Sequence, residues 1–195
     1  MILRAIAVSM RPRQWVKNVF VFAGLIFAQR LFTSSAWIAL AAFAIFCGLS
    51  GAIYLINDVA DRERDQLDPR KRTRPVAAGR LSAGAALAAA VVLVVGGLAC
   101  AAILSRAFLM TACAYVVLLV AYSAWLKHIV IVDVIVVAGG FVLRAVAGAV
   151  VIDVAMSGWL LICTILLALF LTLGKRRYEY VALDQDAVRH RPILA

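Results

Sequence analysis

The residues best suited to chemistry stand together at 57–80, NDVADRERDQLDPRKRTRPVAAGR. Five acids and seven bases lie here between two long apolar runs. If the preceding apolar helix continues through the stretch, about 100° of rotation per residue puts Asn57, Asp58, Asp61, Asp65 and Asp68 in one quadrant. Carboxylates crowded on one face repel each other unless a cation sits among them. Asp and Asn oxygens are ligands that suit Mg2+, an ion that also bridges to substrate phosphates. The same spacing describes a solvated loop with i,i+4 ion pairs, in which Arg62 and Arg64 could take part. Arg70, Lys71, Arg72, Arg74 and Arg80, beside Pro69, Pro75 and Gly79, favour the first reading. A diphosphate needs metal on its leaving oxygens and Arg or Lys on the rest.

The elements that must position this stretch are apolar. The chain of 195 residues is 66% hydrophobic and 15% charged, against about half and about a quarter in soluble domains. The fold class expected is all-α, a polytopic transmembrane helical bundle. Six spans are predicted, at 18–33, 36–56, 82–104, 107–126, 131–152 and 157–173. The first is the weakest, because Gln29 and Arg30 interrupt it. If all six cross, the N-terminus, 57–80, 127–130 and 174–195 share one side, and they carry 17 of the 20 Lys and Arg residues. That asymmetry places the N-terminus and the charged stretch in the cytoplasm. No small-residue cleavage site follows the first apolar run, so a signal peptide is not expected. The net charge of +10 does not indicate a nucleic-acid partner, since the bases sit at the ends of apolar runs. Cys47, Cys100, Cys113 and Cys163 form no CxxC pair and read as packing residues.

NDVADRERD, with Asn57, Asp58, Asp61 and Asp65, resembles the NDxxDxxxD motif of the UbiA superfamily of intramembrane prenyltransferases. DPRKRTRPVAAGRLS strengthens the likeness. RPRQWVKN near the N-terminus and GKRRYE at 174–179 resemble the phosphoribosyltransferase branch of that superfamily. The resemblance covers nearly the whole chain. It implies nine transmembrane helices around a cavity with its mouth in the cytoplasm, of which about six are expected here. Residues 1–195 then read as one integral-membrane domain, truncated at its C-terminus, with 57–80 as its cytoplasmic substrate-binding segment.

The resemblance also implies roles. Asn57, Asp58, Asp61 and Asp65 would hold Mg2+, and the three aspartates would be catalytic. Lys17, Tyr122, Lys127, Lys175 and Arg176 would bind phosphate-bearing substrate along with Asn57. Where other members of the superfamily carry a second acidic motif, this chain reads KRRYE. Bases there suit a donor with an additional phosphate, such as phosphoribosyl diphosphate. Arg144 lies about 16 Å into the bilayer from Asp133, at about 1.5 Å per residue. An Arg at that depth needs a partner or a wet cavity. It reads either as a structural pair, with Asp133 and Asp153 as the nearest acids in sequence, or as a substrate-binding residue. His128 and His190 read as ordinary boundary residues.

The expected reaction is Mg2+-dependent transfer of 5-phosphoribosyl from phosphoribosyl diphosphate to a polyprenyl phosphate at the cytoplasmic face of a bacterial inner membrane. The resemblance implies decaprenyl phosphate as acceptor and a place in cell-wall arabinan precursor synthesis. A homo-oligomer is compatible with the sequence. Two readings compete. Prenyl transfer from a prenyl diphosphate to an aromatic acceptor calls for a second acidic motif. An ion or lipid transporter calls for acids or broken helices near the midplane.

Overall fold

The computed structural model describes residues 2–126 and 130–183. A short helix α1 (Ile2–Ser9) leads into a 3-10 segment (Pro12–Phe22) and then α2 (Ala23–Phe27). The long α3 (Ser35–Ala60) is followed by the short α4 (Arg62–Leu67) and a turn region. Helices α5 (Ala83–Leu104), α6 (Arg106–Ala124), α7 (Val130–Val151) and α8 (Gly158–Leu183) complete the bundle.

Four helices have the length and apolarity to cross a bilayer: Ser35–Ala60, Ala83–Leu104, Arg106–Ala124 and Val132–Val151. They match four of the predicted spans. The fifth match, Gly158–Gly174, is a shorter apolar helix. Serines start several of these helices by satisfying open backbone donors. Ser82 Oγ accepts from Ala85 N at 3.2 Å, Ser105 Oγ from Phe108 N at 3.0 Å and Ser157 Oγ from Leu160 N at 3.1 Å.

The predicted first span, 18–33, is not one apolar α-helix. Eleven residues of 3-10 helix come first, and α2 ends at Phe27. The backbone then turns through Gln29 at φ 57°. Yet the segment runs the length of the bundle. Arg11 pairs with Asp58, Asn18 lies in the middle against Cys47, and Arg30 reaches the Ile152 carbonyl at 3.1 Å. At about 2.0 Å per residue in the 3-10 part and about 1.5 Å in α2, it measures about 30 Å, the thickness of a bilayer core. Glycines make room for it. A Cβ on Gly148 would lie 1.7 Å from the Val21 carbonyl oxygen, and one on Gly24 would lie 2.8 Å from Ala149 Cα.

The main core joins Val21 and Leu25 of this segment to Phe46 and Leu49 of α3, Phe108 and Tyr115 of α6, and Ala147 of α7. A second core ties the end of α3 to the start of α5 through the intervening turns. It contains Ala52, Leu55, Val76, Leu81, Ala86 and Ala90. That second core fixes the charged stretch to the bundle.

Candidate active site

The acids and bases of 57–80 form a compact ionic cluster at the end of α3. The helix does not run on through the motif. It ends at Ala60, and Asp61 makes the joint at φ −96°, ψ 9° before α4 begins. The Asp61 N–H donates to the Asn57 carbonyl at 2.9 Å, and the Asp65 N–H donates to the Asp61 carbonyl at 2.8 Å. The helical offset from Asp58 to Asp65 therefore survives the joint. Both carboxylates are inside, with Asp58 1% and Asp65 2% exposed. Asp68 lies past the end of α4, which stops at Leu67, and its carboxylate takes its partners, Arg70 N and Lys71, from the turn that follows.

Two arginines hold the buried acids. Arg74 Nη1 lies 2.5 Å from Asp65 Oδ2 and 3.5 Å from Asp58 Oδ1. Arg11 Nη2 donates to the same Asp58 Oδ1. Asp58 Oδ2, in contrast, is buried with no hydrogen-bond partner. Arg74 is delivered by a well-built turn. Its carbonyl accepts from Ala78 N at 2.8 Å, Leu81 N donates to Pro75 O at 3.0 Å, and Gly79 takes φ 70°. Val76 and Leu81 pin that turn in the second core. Asp68 starts it. Its Oδ1 accepts from Arg70 N at 2.8 Å, and Lys71 Nζ lies 3.2 Å from Oδ2. Slight burial pushes the Asp68 carboxyl up, but the Arg70 N–H and Lys71 outweigh it and hold the group below its ordinary value.

Arg11 was not among the expected site residues, because an Arg before an apolar run ordinarily sets topology. Its backbone is left-handed at φ 53°, ψ 65°, immediately before Pro12. Its guanidinium lies 4.8 Å from the centre of the Tyr54 ring, close enough for a cation–π contact. Trp15 Nε1 donates to the Met10 carbonyl at 3.2 Å and braces the bend. No local pattern in the sequence flags this geometry.

Arg144 is not paired with either acid nearest to it in sequence. It is buried and lies among neutral acceptors rather than beside Asp133 or Asp153. Its Nε donates to Asn18 Oδ1 at 2.7 Å, Nη1 to the Gly140 carbonyl at 2.8 Å and Nη2 to the Tyr115 hydroxyl at 2.6 Å. Ser50 Oγ donates to Asn18 Oδ1 at 3.2 Å and lies 3.0 Å from the Tyr115 hydroxyl. The network joins the 3-10 segment, α3, α6 and α7. Asp133 instead pairs with Tyr122, whose hydroxyl donates to Asp133 Oδ1 at 2.5 Å.

The remaining expected residues divide in two. Asn57 and Asp61 are half-buried beside the cluster, and Lys17 is half-buried on the 3-10 segment. Lys127 lies outside the described residues, as do the side chains of Lys175 and Arg176 on α8. Among the described residues, no three His, Cys, Asp or Glu side chains gather as a metal site. The donors still suit Mg2+. They are hard oxygens, they occur on two buried carboxylates next to Asn57 and Asp61, and Asp58 Oδ2 is bare.

Fold and cluster together define an integral membrane protein of the polytopic α-helical kind, with an ionic site built at one end of its bundle. The chain belongs to the UbiA prenyltransferase family, whose model matches residues 18–195. It is 34% identical over 191 residues to decaprenyl-phosphate phosphoribosyltransferase of Mycolicibacterium smegmatis, covering 95% of this chain and 60% of the relative. The protein of the same name from Corynebacterium glutamicum is 37% identical over 197 residues, covering 95% of this chain and 58% of the relative. The chain thus spans about three fifths of the length of these curated relatives. Among solved structures, a UbiA homolog from Archaeoglobus fulgidus bound to GPP and Mg2+ superposes with a TM-score of 0.77. That likeness is 20% in sequence and covers 97% of this chain and 67% of that one.

Proposed function

We propose that the protein transfers 5-phosphoribosyl from phosphoribosyl diphosphate to a polyprenyl phosphate, decaprenyl phosphate in particular. The observation that carries the reading is the buried Asp58–Asp65 pair with its arginines, set at one end of an apolar bundle. One substrate is nearly all charge and the other nearly all hydrocarbon, so the reaction belongs where such a cluster meets lipid. The names of the relatives at 34% and 37% identity support the choice of donor and acceptor.

Asn57, Asp58, Asp61 and Asp65 would hold Mg2+. When bound, that ion neutralises the diphosphate leaving group. Lys17, Lys127, Lys175 and Arg176 serve the 5-phosphate, and Tyr122 orders the same mouth. An oxygen of the acceptor phosphate attacks C1 of the ribose, the C1–O bond breaks, and the diphosphate leaves with the bonding electrons. The acceptor is already anionic at neutral pH, so no strong general base is needed. Rate enhancement comes from positioning and electrostatics. In-line attack inverts C1. The membrane is the bacterial cytoplasmic one, with the N-terminus and the site facing the cytosol.

Membranes containing the protein, supplied with labelled phosphoribosyl diphosphate and polyprenyl phosphates, are expected to yield a labelled, acid-labile lipid. Asp61→Asn should reduce that product at least about 100-fold while lipid binding persists. Transfer that needs a prenyl diphosphate, with no label from phosphoribosyl diphosphate, would replace this reading with prenyl transfer. Full Mg2+-dependent transfer by Asp61→Asn would remove the metal assignment.

A further inference from the structure

Four charges form the paired centre of the cluster, and they are unequally covered. The side chains of Asp58 and Asp65 are 1% and 2% exposed, those of Arg11 and Arg74 27% and 26%. The arginines therefore close the acids off from the solvent side. These four groups balance, two carboxylates against two guanidiniums, and Asp61 beside them adds one negative charge, so a bare divalent cation would still leave positive charge in excess at a buried site. Yet Asp58 Oδ2 is buried with no hydrogen-bond partner, an unfavourable condition for a charged acceptor. The pair is balanced in charge and incomplete in coordination. Arg11 adds a strained element, a left-handed backbone on a non-glycine residue.

We propose that Arg11 and Arg74 are exchangeable counterions of Asp58 and Asp65: they neutralise the pair while donor is absent, and release it to the divalent cation that a diphosphate brings. The two guanidiniums, freed on the solvent side, then turn onto phosphate oxygens, for which their planar donors are suited. Charge stays balanced at every stage, because the incoming cation arrives with its own anion. The proposal rests on the diphosphate reading above.

The test reads metal binding rather than turnover. The full chain in detergent is titrated with Mn2+ alone, followed by electron paramagnetic resonance, with Mg2+ as competitor. Arg11→Met and Arg74→Met remove a competitor for the carboxylates. Each is expected to bind Mn2+ several-fold more tightly than wild type. Each should also unfold at a lower temperature without metal and regain most of the loss with it. Absent, unchanged or weaker Mn2+ binding in both folded variants overturns the proposal. If neither variant folds, amide exchange in the wild type decides. Millimolar Mn2+ with inorganic diphosphate should speed amide exchange at Arg74 and residues 76–79, where the anchoring ion pair is given up, and unchanged or slower exchange overturns the proposal. A failed phosphoribosyl assay beside tighter Mn2+ binding would remove the donor reading and leave the exchange standing.

Discussion

Asp58 and Arg144 solve the problem of a charge inside this protein in opposite ways. Asp58 is matched by cations. Arg144 is matched by three neutral oxygens at 2.6–2.8 Å, drawn from a side-chain amide, a hydroxyl and a backbone carbonyl. The fork geometry of a guanidinium lets one residue reach all three, and an ammonium cannot. Arg144→Lys is therefore expected to lower stability by about 1–3 kcal/mol, read as a drop in thermal midpoint. An unchanged midpoint would show that the fork is dispensable. The sequence displayed the acids plainly, because Asp and Asn at helical spacing beside a basic turn are rare next to an apolar run. It did not display the partners of Arg144. Asn18, Tyr115 and Gly140 are neutral and far apart in the chain, and only the packing of the helices brings them together. Arg11 was hidden for a simpler reason: in sequence it looks the same as a topology signal.

Between elements, the 3-10 segment and α7 meet backbone to backbone at a seam. Gly148 leaves no space for a methyl group against the Val21 carbonyl, and both sides of the contact are backbone. Gly148→Ala should cost about 1–3 kcal/mol or more and reduce the yield of folded protein, whereas Gly158→Ala, with open space around it, should leave the yield unchanged. Equal yields from the two would contradict the seam. The apolar runs that became α3, α5, α6 and α7 were legible because each is long enough for a bilayer. The first segment was legible as apolar but not as 3-10 helix. Its geometry is set by a groove that α7 supplies from about 125 residues downstream. The break of α3 at Asp61 was likewise invisible, since the motif keeps helical spacing on both sides of the joint.

For the molecule as a whole, the two ends of the bundle differ in charge. The end bearing Asp58, Arg11 and Arg74 gathers the basic turn, while the opposite end is marked by Arg30 against the Ile152 carbonyl. The topology reading expects the first end in the cytosol. In a single-cysteine background, Glu63→Cys should react with a membrane-impermeant reagent only in inside-out vesicles, and Ser34→Cys only in right-side-out ones. The reverse pattern would invert the molecule and place the proposed donor site on the wrong side of the membrane.

The irregular first segment also bears on how the protein is made. Val21 leaves the ribosome about 125 residues ahead of Gly148, the residue against which it must lie. For that interval the segment satisfies its backbone by its own helical bonds but has no α7 surface to pack against. The chain therefore inserts α3 before its own beginning is seated. The contact of Val21 with Gly148 can form only once α7 has been made, whereas the Arg11–Asp58 pair needs only α3.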